Sequence, residues 1–259
     1  MLFTPYQTAL LSALPFLGTV SAALDPSCRP GGNFALKKWD LETSIDNGSG
    51  QPKVISGSEL TPDTNACSNG WQDKGSAHQW FFTESTDGSM VMKAPGYSSS
   101  RPCIKWSGSN HCRTEFHETT AAWSTSNSLN RLHVKLSAGY GSNICIGQVF
   151  QSGTGFNKPY LELYYHPGSG DIIAGVATCP EGGNAGCNQA MTTVGNVAMG
   201  TVFTYDVQFE GGVLKVAING KVTTLKTFFT TPKASFKFGN YNQGTDDASV
   251  HVFELSVQH

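Results

Sequence analysis

Three short stretches of the chain place chemically capable side chains two residues apart. They are His111-Cys112-Arg113-Thr114-Glu115-Phe116-His117-Glu118, Cys145-Ile146-Gly147-Gln148-Val149-Phe150 and Phe236-Lys237-Phe238-Gly239-Asn240-Tyr241-Asn242-Gln243. Side chains alternate faces along a β-strand. As strands, these stretches put Arg113, Glu115 and His117 on one face. Ile146, Gln148 and Phe150 share another, and Lys237, Tyr241 and Gln243 a third, with Gly239 leaving a gap. Joined in one sheet, they make a polar trough that suits an anionic sugar chain. The same set can take a proton from a carbon beside a carboxylate. Arg, Gln and His stabilise the enolate-like charge that builds there. A Tyr in reach serves as base when ionised and as acid afterwards. Arg113 and Lys237 are expected to favour its phenolate.

Such a trough needs strands around it, and the sequence supplies them. Leu132, Val134 and Leu136 alternate with His133 and Lys135; Leu161, Leu163 and Tyr165 alternate with Glu162, Tyr164 and His166. Val213 to Ile218 runs into Asn219-Gly220, a strong hairpin signal because both turn residues need positive φ. Ser249 to Gln258 reads as a strand that closes a sheet. Helical periodicity is scarce after the first residues. Many short strands with glycine-rich turns imply an all-β sandwich or jelly roll whose concave sheet carries the polar face. Tyr164 and His166 share a face with Glu162 that either lines the cleft or, the favoured reading, is solvated.

The 259 residues, 14 % of them charged and 29 of them glycine, describe an ordered, turn-rich chain. A net charge of −2 gives no field for nucleic acid. Thr8 to Val20 is mostly apolar and leads into Val20-Ser21-Ala22, so residues 1–22 read as a secretory signal and 23–259 as one extracellular domain. No later run reaches the ~20 apolar residues of a membrane span. A soluble monomer is expected.

Seven cysteines in a secreted chain suggest disulfides. Cys103–Cys112, Cys179–Cys187 and Cys28–Cys67 are the pairs the spacing favours, with Cys145 a buried thiol; the sequence does not fix this pairing. No zinc spacing occurs. Asn47-Gly48-Ser49 matches an N-glycosylation acceptor.

The strings Arg-Thr-Glu-Phe-His-Glu, Ile-Gly-Gln-Val-Phe and Phe-Lys-Phe-Gly-Asn-Tyr-Asn-Gln resemble the three signature strands of the alginate lyases of polysaccharide lyase family 7. There they read Arg-(Thr/Ser)-Glu-Leu-Arg, Gln-Ile-His and Tyr-Phe-Lys-Ala-Gly-x-Tyr-x-Gln. The resemblance runs in order from about Phe34 to His259. It implies a β-jelly roll and an acidic polysaccharide substrate cleaved by β-elimination without a cofactor. It implies Tyr241 as the catalytic acid, here expected to be base as well, with Gln148 and Arg113 around the carboxylate; His117, on the same face as Arg113, is expected to join them or to be an alternative base. Lys237 and Gln243 bind substrate or orient Tyr241. Glu115 is an orienting partner grouped with the substrate-binding residues, and Phe150 is a packing or stacking ring.

Two positions depart from the family. His117 replaces the second Arg, and Phe150 replaces the His of Gln-Ile-His. Where the C5 proton and the leaving oxygen lie on the same side, one Tyr performs both transfers; on opposite sides a separate base is needed. Losing that His argues against guluronate and leaves β-1,4-linked mannuronate or glucuronate. The His-Gln-Tyr set also bears a more distant likeness to the family 20 glucuronan lyases. The competing readings are an inactive carbohydrate-binding protein and a glycoside hydrolase. The latter needs a carboxylate pair, and the three signature faces offer only Glu115.

Overall fold

The computed structural model describes residues 23–62, 67–73, 79–98, 100, 103–152, 159–179, 187–229 and 233–259. The proposed signal segment lies outside them. Among the described residues sixteen strands follow one another: β1 (Trp39–Asp46), β2 (Pro52–Ile55), β3 (Phe81–Thr83), β4 (Met90–Ala94), β5 (Cys112–Glu118), β6 (Trp123–Ser124), β7 (Arg131–Tyr140), β8 (Ile144–Gln151), β9 (Pro159–His166), β10 (Asp171–Ala177), β11 (Gln189–Asn196), β12 (Phe203–Glu210), β13 (Val213–Ile218), β14 (Lys221–Leu225), β15 (Lys233–Asn242) and β16 (Ala248–Gln258). Two four-residue helices, α1 (Pro30–Asn33) and α2 (Gly57–Leu60), flank β1 and β2. Neither is long enough to cross a membrane.

The strands form two antiparallel sheets. The first has the order β11-β10-β9-β8-β15-β5-β1-β2, with β6 also on β15; the second is β14-β13-β12-β7-β16-β4-β3. Strands far apart in sequence are neighbours, as in a jelly roll. The expected alternation appears in β7 and β9: Leu132, Val134, Leu136, Leu161, Leu163 and Tyr165 are all 0 % exposed between the sheets. Asn219 and Gly220 both take positive φ and join β13 to β14. The last strand does not close its sheet. β16 lies inside it, paired with β7 on one side and β4 on the other.

The core between the sheets is aromatic beneath the future site. Trp39 of β1 meets Phe238 of β15 edge-on at 4.9 Å, and Phe116 of β5 stacks on Phe238 at 4.9 Å. Residues alternating with the signature side chains also fasten the first sheet to the second. Asn240 Nδ2 donates to the carbonyls of Met92 and Ala248; Asn242 Nδ2 donates to those of Pro95 and Asp246; Thr114 Oγ1 donates to that of Lys93. Those bonds satisfy buried polar groups and hold the strands whose other faces carry the chemistry. Cys28–Cys67, Cys103–Cys112 and Cys179–Cys187 are disulfides, and Cys145 is a buried free thiol.

Candidate active site

Register brings the three stretches together. β5 and β15 align His117 with Lys237, Glu115 with Gly239 and Arg113 with Tyr241. β8 lies on the other side of β15 and aligns Gln148 with Lys237. Gly239 has φ +134°, and a Cβ there would meet Met92 Cε at 2.5 Å and the Thr114 carbonyl at 2.8 Å. Only glycine fits, and the bulge at this point turns β15 so that Tyr241 faces Cys145. A second bulge sits in β8, where Cys145 pairs with Tyr164 but Gly147 with Leu163. It reverses the pleat. Ile146 therefore belongs to the core and does not share the face of Gln148 and Phe150. Tyr205 of the opposite sheet donates to the Ile146 carbonyl at 2.7 Å.

The resulting cleft has a volume of about 860 Å³. Arg113, His117, Gln148, Phe150, Lys237, Tyr241 and Gln243 all line it. Glu115 does not; it is 0 % exposed beneath the floor. Its carboxylate accepts from Arg113 Nη1 at 2.8 Å and from Gln148 Nε2. Glu115 is thus a positioning group, a correction to its placement among substrate-binding residues. Among the described residues Glu115 is the one acceptor of the Gln148 amide, which lines the cleft.

Lys237 needs a similar correction. It is only 4 % exposed, and its ammonium donates to both oxygens of Glu42 at 3.1 and 3.2 Å. Glu42, on β1 beside Glu115, also accepts from Arg113 at 3.2 Å. Its charge neutralises much of the positive charge expected to greet a polyanion. Burial pushes the Glu42 carboxyl up, but Lys237 and Arg113 outweigh that and hold it below its ordinary value. Burial dominates at Glu115 and raises its carboxyl despite the same two cations. Lys237 also lies 4.7 Å above the Phe150 ring.

His117 has both ring nitrogens near partners, Nε2 at 3.2 Å from Ser235 Oγ and Nδ1 at 3.8 Å from Glu42. Burial and Lys237 hold it below the ordinary histidine range, so it is neutral at neutral pH. The Arg113 guanidinium stacks on the Tyr241 ring at 3.8 Å. Gln243 Nε2 donates to the Tyr241 carbonyl at 3.3 Å. Burial raises the Tyr241 hydroxyl above its ordinary value even though Arg113 and a hydrogen bond with Ser109 pull it down. The expected phenolate is therefore not the resting form.

Several cleft residues come from outside the three stretches. Glu162 and Tyr164, expected on a solvated face, line the cleft together with Gln189; His166 does not. Tyr164 donates to Glu162 at 2.7 Å, and Gln189 Nε2 donates to the same oxygen at 2.6 Å. On the other wall the segment from Trp106 to His111 lines the cleft. The alternation of Trp39, Leu41 and Thr43 around Glu42 was the available signal for Glu42. None pointed to Ser109.

The model of the alginate lyase family matches residues 34–259. The chain belongs to the alginate lyase family. It is a polysaccharide lyase on a jelly roll. Solved structures share the fold. A family 7 alginate lyase, A1-II′, in complex with the substrate GGMG has a TM-score of 0.72 and 21 % identity, over 90 % of this chain and 97 % of its own. The alginate lyase from Klebsiella pneumoniae gives 0.68 and 19 %, over 89 % and 98 %. That from Corynebacterium sp. gives 0.67 and 18 %, over 90 % and 99 %. No curated protein matches this lyase in sequence.

Proposed function

We propose that this lyase is secreted and cleaves a β-1,4-linked mannuronate or glucuronate polymer within the chain by β-elimination, with Tyr241 as base and acid. The observation that carries the reading is the company of Tyr241. Its ring lies under Arg113, its backbone is held by Gln243, and the position of the family's second base is the ring of Phe150, which cannot take a proton. Tyr241 then does both transfers, as the same-side geometry of these two uronates allows.

In the proposed cycle the uronate carboxylate sits on the Gln148 amide and the neutral His117, donors already in place when charge develops. The Tyr241 phenolate takes the C5 proton. The electron pair moves into the carboxylate-stabilised carbanion, then forms the C4–C5 double bond as the C4–oxygen bond breaks. Tyr241 returns the proton to the leaving oxygen, and the phenolate is restored. Burial keeps the hydroxyl protonated at rest, so turnover should climb as pH rises. His117 as base is the variant of this scheme, since it is neutral and in the cleft. A cleft fed by β1, β5, β8, β9, β11 and β15 has room for several sugars, in keeping with attack inside a polymer. The three disulfides support an oxidising destination.

The test is the near-ultraviolet absorbance of the unsaturated product on polymannuronate, polyguluronate and β-1,4-glucuronan in parallel. A rise on the first or third is expected. A rise on polyguluronate alone would overturn the argument from Phe150.

A further inference from the structure

Ser109 stands in a turn built to present it. Its N–H donates to the Trp106 carbonyl at 3.0 Å, and Gly108 between them has φ +82°, a conformation cheap only for glycine. Lys105 Nζ donates to the Ser109 carbonyl at 2.6 Å, and the Cys103–Cys112 disulfide closes the loop onto the first residue of β5. The Ser109 hydroxyl oxygen is then claimed from four sides. It donates its proton to the His111 carbonyl at 3.0 Å. It receives the His111 N–H at 3.2 Å and Arg113 Nη2 at 3.4 Å, and it lies 3.1 Å from the Tyr241 hydroxyl.

A hydroxyl has one proton and two lone pairs. With its proton on the His111 carbonyl, Ser109 can only accept from Tyr241, in competition with two other donors. This bond is crowded while Tyr241 is protonated. Loss of the Tyr241 proton removes one claimant, and the Ser109 proton can turn onto the phenolate. A hydrogen bond to a charged acceptor is about twice as strong as a neutral one.

We propose that Ser109 is a positioning residue that switches from acceptor to donor as Tyr241 ionises, and so selects the phenolate that begins each elimination. The proposal rests on Tyr241 being the base. No atom of Ser109 is consumed; its own proton swings from the His111 carbonyl to the phenolate and back. The other charged or titratable groups facing Tyr241 act with it or against it. Arg113 on the ring favours the phenolate; Glu115 below and Glu162 of β9 oppose it. His111, edge-on at 5.9 Å, is kept neutral by burial and by Arg113 and Lys105. The Cys145 thiol opposite Tyr241 is held protonated by burial.

The experiment is the pH profile of kcat and KM for Ser109→Ala, Ser109→Thr and Tyr241→Phe on the polymer that the wild type cleaves. Ser109→Ala should lower kcat at neutral pH roughly tenfold or more, the loss expected for one hydrogen bond to a charged group. KM should stay near wild type, the rising limb should move to higher pH, and Ser109→Thr should recover most of the loss. Should Ser109→Ala prove unstable, Ser109→Cys, of similar shape and weaker hydrogen bonding, is read the same way. An unmoved limb, or a Thr variant as impaired as the Ala variant, would overturn the role of Ser109 while leaving Tyr241 in place. Turnover retained in Tyr241→Phe would instead remove the reading beneath it.

Discussion

The floor of the cleft and the outer face of the second sheet carry the same kinds of charge in the same alternation. On the outer face, Arg131, His133 and Lys135 of β7 pair with Glu210, Asp206 and Glu254 at 3.2, 2.9 and 2.8 Å. In the cleft, Arg113 pairs with Glu115 and Glu42 at 2.8 and 3.2 Å, and Lys237 with Glu42 at 3.1 Å. The distances are alike; the access to water is not. The paired side chains are 21–39 % exposed outside; in the cleft Arg113, Lys237, Glu42 and Glu115 are 0–12 % exposed, and His117 at the edge of their network is 39 % exposed. Outside, the pairs stand in water, which screens them, and His133 reaches Glu254 at 3.7 Å as well as Asp206. Inside, two cations and two carboxylates share one network, and Tyr241 lies against it. Both faces share carboxylates between cations, so burial sets them apart, and the residue types alone do not.

The largest break in this contrast should come from Glu115→Ala. It removes half of the negative charge under Arg113 and Lys237, and a broken buried pair costs about 3–5 kcal/mol, read from denaturant unfolding. Gly239→Ala follows. It forces a side chain into a positive-φ bulge against Met92 and should cost about 1–3 kcal/mol while displacing Tyr241, so activity falls more than the melting temperature suggests. On the outer face, Lys135→Ala should cost only about 0.2–1 kcal/mol and leave turnover unchanged.

Histidine sharpens the comparison, because the two faces shift it in opposite directions. His133 is raised by its hydrogen bond to Asp206, against the effect of burial. Its contribution is fully present below the ordinary value of about 6.5 and fades as pH rises through its folded value. His117 is lowered by burial and Lys237. The unfolded chain then binds the proton first, and stability drops as pH falls below about 6.5, the loss levelling off below the depressed folded value. His133→Asn should therefore destabilise most in mild acid and least in mild alkali. His117→Asn should be relatively more stable than wild type in mild acid. Melting temperatures across that range decide both; parallel curves for the two variants would contradict the contrast.

Much of this was legible in the chain. Alternation in β7 and β9 and the Asn219-Gly220 turn announce an all-β fold, and Arg113, Gln148 and Tyr241 stand where period-two reasoning places them. Ile146 does not, because a bulge depends on its neighbours and leaves no mark on the apolar pattern. Glu42 escaped because it enters the site through a pairing of β1 with β5 some 71 residues apart. Without Glu42, Lys237 looks like a free cation; Tyr241 looks like a ready phenolate because the burial that raises its hydroxyl leaves no mark on the chain. Glu162 and Tyr164 look like any solvated strand face until the sheet curves around them. Ser109 belongs to a turn, where no period exists to read.

The most direct test of the central claim is the rate of unsaturated-product formation by Tyr241→Phe beside the wild type, with polymer binding measured on the same samples. The account predicts a rate lower by about 10²–10⁴ with binding retained. A variant that binds and still produces the chromophore at a rate near wild type would contradict it.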